Sequence, residues 1–216
     1  MRETAKKTPS RSELRRQRER EQRVQTILAA AETLFARKGY HQAGMEEIAD
    51  LSEVSVGTVY FYFKNKEDLI VHMLEKIGYQ LRELLGKEFR NADGTLEGFQ
   101  RAGIVFFEEF CSKHPRKVAI FFRESAGQSE SLEKRRKKIF DKLIEDVQQA
   151  LMRVRDNLGV TYQSRFSAEV MAVSIMGMYE RIAYQYLIWD NRSKDLKTLG
   201  QDAVDFIIGG IRNLCK

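Results

Sequence analysis

The chain has 216 residues, 43% of them hydrophobic and 31% charged, which is enough apolar matter for a packed core without disulfides or metal. Its formal charge is +6, and no run approaches the roughly 18 consecutive apolar residues of a membrane-spanning helix. The three histidines, His41, His72 and His114, have no partner at ligand or triad spacing, and no phosphate-cradling glycine loop or zinc pattern accompanies them, which argues against an enzyme, a metal or a cofactor.

The charge is unevenly placed. Residues 1–23 hold nine Lys/Arg against four Asp/Glu, a net +5, while residues 24–69 hold four against seven, a net −3. Residues 1–20 therefore read as a basic arm, either flexible or extending the first helix. Arg16 and Arg20 are candidates for phosphate contact, because cationic side chains release counterions condensed on nucleic acid. The arm lacks the apolar run of a secretory signal. Cys111 and Cys215 read as reduced bystanders in a cytoplasmic protein.

From Val24 the apolar residues Ile27, Leu28, Ala31, Leu34 and Phe35 mark one helix face, which ends at Arg37-Lys38-Gly39. A very short helix is expected at about Met45–Ser52, with Met45, Ile48, Ala49 and Leu51 inward. A second follows Ser55, a good N-cap, over Val56–Tyr62. Asn65 caps a long helix, with Glu67 and Asp68 in its first turn, that runs to about Phe89. Asn91-Ala92-Asp93-Gly94 then breaks it. Helices of six or seven residues are marginal alone and persist only when packed. The three-helix unit over 21–68 thus has the makings of a helix-turn-helix that exposes its third helix to a major groove.

Five further helices are expected: about Thr95–Lys113, a short one from Pro115, about Leu132–Leu158, Ser164–Asp190 and Leu196–Leu214. No segment shows strand alternation. The fold class is all-α, with about nine helices: an N-terminal three-helix helix-turn-helix domain and a C-terminal helical bundle over 69–216.

The stretch from Ala30 to Leu69 resembles the N-terminal domain of TetR-type transcriptional regulators. The matching residues are Ala31, Leu34-Phe35, Gly39-Tyr40, Ile48-Ala49, Val54-Ser55, Gly57-Thr58, Tyr60-Phe61-Tyr62-Phe63, Lys66 and Leu69. The resemblance implies a repressor that binds a palindromic operator as a homodimer and releases it when a small molecule binds the C-terminal domain. Its DNA-facing positions fall on Gly44, Ser55, Val56, Gly57, Thr58, Tyr60, Tyr62 and Lys66. Thr58 offers a hydroxyl and a methyl, the tyrosines phenolic donors, and Lys66 a phosphate contact beside free backbone N–H groups. Of Phe61 and Phe63, one is expected in the core and one outside.

Three positions depart from the family's pattern. Gly44 stands where a threonine is frequent, Glu53 where the turn usually has glycine, and Val56 where lysine is frequent. All three remove positive or polar contact near DNA, for which the basic arm compensates. The stretches Gly39–Gln42 and Tyr62–Asp68 look similar to fatty-acid-responsive members, although both lie in the DNA domain.

In the C-terminal half, Phe106, Phe110, Phe121, Phe122, Met171, Met178, Tyr179, Arg181 and Tyr184 could line an apolar effector pocket, for a fatty-acyl or other apolar molecule. The same residues at helical spacing equally suit a plain core. Helix 8 is apolar almost all round, and the last helix carries Gly209-Gly210. Ile175, Ile182, Phe206, Gly209 and Gly210 are therefore the expected dimer interface. The alternative is a DNA-bound scaffold whose C-terminal domain docks a protein and holds no ligand. A dry core favours the scaffold, and a lined cavity favours the sensor.

Overall fold

The computed structural model describes residues 10–91 and 94–214. The first nine residues of the arm, Ala92-Asp93 of the expected break, and Cys215 lie outside them. The described residues form nine α-helices and no sheet: α1 (Arg11–Lys38), α2 (Met45–Leu51), α3 (Val56–Tyr62), α4 (Lys66–Asn91), α5 (Leu96–Val105), α6 (Pro115–Ala119), α7 (Glu130–Leu158), α8 (Ser167–Ala183) and α9 (Leu196–Leu214). Packing divides the chain into two compact units, with the boundary in sequence between Leu69 and Ile70. None of the described helices is long and apolar enough to cross a membrane.

In the first unit, α1 starts well before Val24. Ser10 caps it by accepting from the Glu13 N–H at 3.2 Å, while Glu13 reaches back to the Ser10 N–H at 2.6 Å. This reciprocal box satisfies two orphan donors and starts the helix in an arginine-rich segment. Its core face is Ile27, Leu28, Ala31, Leu34 and Phe35, against which α2 packs Met45, Ile48 and Ala49. Leu51, expected inward, is half exposed because α2 ends on it and the chain turns away.

The α2–α3 turn is held from within. Val54 donates to the Ala49 carbonyl at 3.0 Å and the Ser52 hydroxyl to the Ile48 carbonyl at 2.6 Å. Glu53 sits at φ 54°, the left-handed region that glycine occupies most easily, so the turn keeps its usual geometry at the cost of strain. Only Val59 of α3 is buried, followed by Phe63 immediately after the helix.

In the second unit, three helices open into wider π turns where aromatic residues crowd: Phe106–Cys111 after α5, Ile120–Glu124 after α6 and Tyr184–Trp189 after α8. The helices expected over Thr95–Lys113, from Pro115 and over Ser164–Asp190 are thus each an α segment with a π continuation. The α8 segment begins at Ser167, three residues later than expected. Ser129 caps α7, and Gly159 ends it at φ 65°. Close helix crossings rely on glycine: a Cβ on Gly103 would lie 2.1 Å from the Tyr179 hydroxyl and one on Gly200 2.6 Å from the Phe107 ring. Arg82 of α4 forks onto Asp146 of α7, with Nη2–Oδ1 at 2.9 Å.

Candidate nucleic-acid interface and effector site

α3 hides one side chain and shows the rest. Ser55, Val56, Gly57 and Tyr60 are exposed, Thr58 and Tyr62 half-buried, and Phe61 is 75% exposed. This helix is capped by Ser55, whose hydroxyl accepts from the Thr58 N–H at 3.1 Å and lies 2.8 Å from the Thr58 hydroxyl. The pair is mutually satisfied yet keeps spare lone pairs for an outside partner. Of the two ambiguous rings, Phe63 is core and Phe61 faces out.

The arginines of α1 are not evenly spread. Arg16, Arg20 and Arg23 fall at i, i+4 and i+7, in register with Ile27 and Leu34 on the same helix. The stripe that is core at one end of α1 is therefore cationic at the other. Arg20 places its guanidinium 5.9 Å from the centre of the Tyr62 ring. On the flanking faces Arg15 pairs with Glu19 at 2.8 Å and the Gln17 amide donates to Glu21 at 2.8 Å.

Gly44 caps α2 through its backbone N–H, which donates to the Glu47 carboxylate at 2.9 Å. The Lys38 ammonium binds the same carboxylate, and these two donors hold its pKa below the ordinary value, Lys38 first.

Lys66 has partners within the first unit. Its ammonium turns inward, donating to the carbonyls of His41 at 3.0 Å and Ala43 at 3.1 Å, and lies 4.6 Å from the centre of the Tyr40 ring. Burial, then repulsion from Lys38, lowers its pKa. Lys66 therefore ties the α1–α2 loop to the start of α4 with two of its three ammonium N–H groups.

The second unit has an apolar slot between α4, α5, α7 and α8, with a free volume of about 20 Å³. That is room for about one water molecule, against roughly 300–1,000 Å³ for a ligand pocket. It is lined by Leu81, Leu85 and Phe89 of α4, Phe99, Ala102, Gly103 and Phe106 from the α5 segment, Val147 of α7, and Ile175, Met176 and Tyr179 of α8. Tyr179 brings the single side-chain hydroxyl, and burial drives its pKa strongly upward.

Of the nine residues expected to line a pocket, Phe106 and Tyr179 do. Phe110, Phe121 and Phe122 are instead buried in a ladder of ring contacts, in which Phe121 stacks on Phe140 at 4.9 Å. Met171 is buried and Met178 half-buried, both away from the slot, while Arg181 and Tyr184 meet around Trp189 at the end of α8. The α4 contribution is absent from the expected lining. Its buried stripe is nonetheless readable in the sequence as Leu74, Ile77, Leu81 and Leu85, at i, i+3, i+7 and i+11.

α8 has two apolar faces. Ala168, Met171, Ala172, Ile175 and Tyr179 are buried, whereas Phe166, Val170, Val173 and Gly177, spaced i, i+4, i+7 and i+11, form an exposed stripe at its start and along it. On neighbouring α9, Phe206 is 71% exposed, and Gly209 and Gly210 have nothing within 4 Å of a Cβ position. Ile175, expected at an interface, lines the slot instead, and Ile182 is half-buried.

In the first unit a short, mostly exposed helix follows a tight turn after another short helix, which is the arrangement of a helix-turn-helix. Residues 27–73 match the family model for bacterial regulatory proteins of the tetR family. The chain is 26% identical over 199 residues to the fatty acid metabolism regulator protein of Bacillus subtilis (strain 168), an alignment that covers 87% of this chain and 94% of that one. It is 38% identical over 89 residues to the transcriptional activator FasR of Mycolicibacterium smegmatis, covering 41% of each chain. In fold it is similar to the transcriptional regulator FadR from Bacillus subtilis, solved in complex with stearoyl-CoA, with a TM-score of 0.76 at 20% identity over 86% of this chain and 98% of that one. The likeness to the tetR family is thus one of sequence over residues 27–73 and one of fold over most of the chain.

Proposed function

We propose that the chain is a cytoplasmic repressor that binds a palindromic operator as a homodimer, with residues 1–68 on DNA and 69–216 sensing an effector and dimerising. The observation that carries the DNA assignment is α3, which buries Val59 alone and leaves Val56, Gly57, Thr58, Tyr60, Phe61 and Tyr62 at its surface. Ser55 and Gly44 cap the two short helices and bring backbone close to phosphates. Arg16 and Arg20 extend the same surface along α1 and offset the net −3 of residues 24–69. The exposed stripes of α8 and α9 support the dimer, because they leave an apolar face uncovered on one chain and their glycines allow close approach.

A small, largely apolar effector is supported by the slot, whose lining is apolar apart from the Tyr179 hydroxyl, and by the stearoyl-CoA bound to a protein of the same fold. The slot's volume of about 20 Å³ favours a second reading, in which the bundle stays closed and docks a protein. Under the sensor reading, α4 and α8 must part to admit a ligand, a population shift toward an open bundle.

Selection from a random duplex pool across a salt series tests the DNA reading. A palindrome with two chains bound is the expected result, and no enrichment at any salt sinks it. Release of the selected duplex by a panel of apolar molecules separates sensor from scaffold.

A further inference from the structure

The bundle holds a cation that its own carboxylates do not fully satisfy. Arg136 of α7 is mostly withdrawn from solvent, with 19% of its side-chain surface exposed. Its Nε–H is buried and has no hydrogen-bond partner among the described residues. Its two terminal nitrogens reach Glu180 of α8 at 3.4 Å and Glu133 of α7 at 3.7 Å. Both distances exceed the roughly 2.7–2.9 Å of a charge-assisted hydrogen bond. A guanidinium whose Nε–Nη2 edge is half used is set for a planar acid, which takes both N–H groups side by side.

The position of Arg136 relates it to the slot. Its guanidinium lies 4.5 Å from the centre of the Phe140 ring, Phe140 is 6.1 Å from Phe122, and Phe122 is 6.5 Å from Phe106, which lines the slot. From the other side, its partner Glu180 directly follows Tyr179, which also lines the slot and stacks on Phe106 at 5.1 Å. An apolar path of rings thus runs from the closed slot to a buried cation with an unused donor. Glu180 is a weak competitor for that cation: burial raises its pKa, against the pull of Arg136.

We propose that Arg136 anchors the head of the effector, and that the effector is a single-tailed amphiphile whose carboxylate or phosphate is joined directly to its tail. The acid takes the Nε–Nη2 edge and displaces Glu180, while the tail follows Phe140, Phe122 and Phe106 into the slot. The rings meet the guanidinium with no polar side chain between them, which matches a charge joined directly to the tail. The inference rests on the sensor reading above and adds to it the charge, its position and the residue that reads it.

Calorimetric titration of the full-length protein with dodecanoate, dodecyl phosphate, dodecanol and dodecanoyl-CoA tests it. Dodecanoate or dodecyl phosphate is expected to bind at least tenfold more tightly than dodecanol, and which acid is tighter identifies the source of the charge. Arg136→Gln should erase that preference and leave dodecanol unchanged. Glu180→Gln should tighten the acid severalfold without affecting the alcohol, and it keeps the test decisive if the Arg136 variant fails to fold. An acid preference that survives Arg136→Gln overturns the proposal, as does equal binding of acid and alcohol. Tight dodecanoyl-CoA binding that is indifferent to both substitutions overturns it too and leaves the sensor reading standing. Binding of none of the four removes both.

Discussion

The protein carries two aromatic clusters of similar composition and opposite burial. Tyr60 and Phe61 of α3 are 49% and 75% exposed, whereas Phe106, Phe107, Phe110 and Phe121 in the second unit are each 2% exposed or less. Composition does not separate them; the length and cover of their helices do. A seven-residue helix packed on one side can hide little more than a single residue, here Val59, so its rings stay outside. The rings of the second unit sit where several long helices converge, and the backbone widens into π turns around them. The first cluster is thereby available to a partner, and the second holds the bundle together.

The largest effects should come from the buried cluster. Phe106→Ala removes a ring that stacks on Phe110 and Tyr179 and meets Phe122, and is expected to cost about 3–5 kcal/mol in chemical denaturation. Phe61→Ala should stay within about 0.5 kcal/mol of the parent in the same experiment, because its ring packs on little beyond Tyr62. Equal losses from the two would mean that Phe61 is packed as tightly as Phe106.

Gly103→Ala strains the same buried cluster, since the added methyl would meet the Tyr179 hydroxyl at 2.1 Å and Val204 at 2.7 Å. About 1–3 kcal/mol should be lost. Gly57→Ala, with only the Ser55 hydroxyl at 3.8 Å, should be close to neutral for folding, so any defect it shows in DNA binding reports the outer face.

Glu53→Gly should stabilise the first unit by about 1 kcal/mol, as it removes a non-glycine residue from φ 54°. A melting temperature that falls would contradict that reading of the turn. The smallest effects distinguish the cations. Arg20→Gln should reduce the slope of log affinity against log salt by about 0.9, the share of one phosphate contact. Lys66→Gln should change the slope less and lower stability instead, because two of its ammonium N–H groups hold the His41 and Ala43 carbonyls.

Much of the first unit is legible in the sequence. Ser55 and the rings after it mark α3 at its observed ends, since a cap and a short amphipathic run are local signals. The early start of α1 is also written there, in Ser10-Arg11-Ser12-Glu13, but the lack of apolar residues before Val24 hides a helix that begins on a capping box. The direction of Lys66 is not legible, because whether its ammonium points in or out depends on two carbonyls more than twenty residues away.

The second unit is less readable where faces matter. A helix apolar all round has no legible inner side, so spacing assigns Ile175 to an interface and passes over Val170 and Val173. The lining that α4 gives the slot follows from tertiary packing, which spacing on a single helix does not convey.

The central claim is that the exposed face of α3 reads DNA. Its most direct test is an anisotropy titration of a selected duplex with the Tyr60→Ala/Phe61→Ala variant, whose melting temperature is checked in the same buffer. The account predicts at least a tenfold loss of affinity with melting nearly unchanged. Full affinity in the folded variant would contradict it and move the DNA-binding surface elsewhere on the chain.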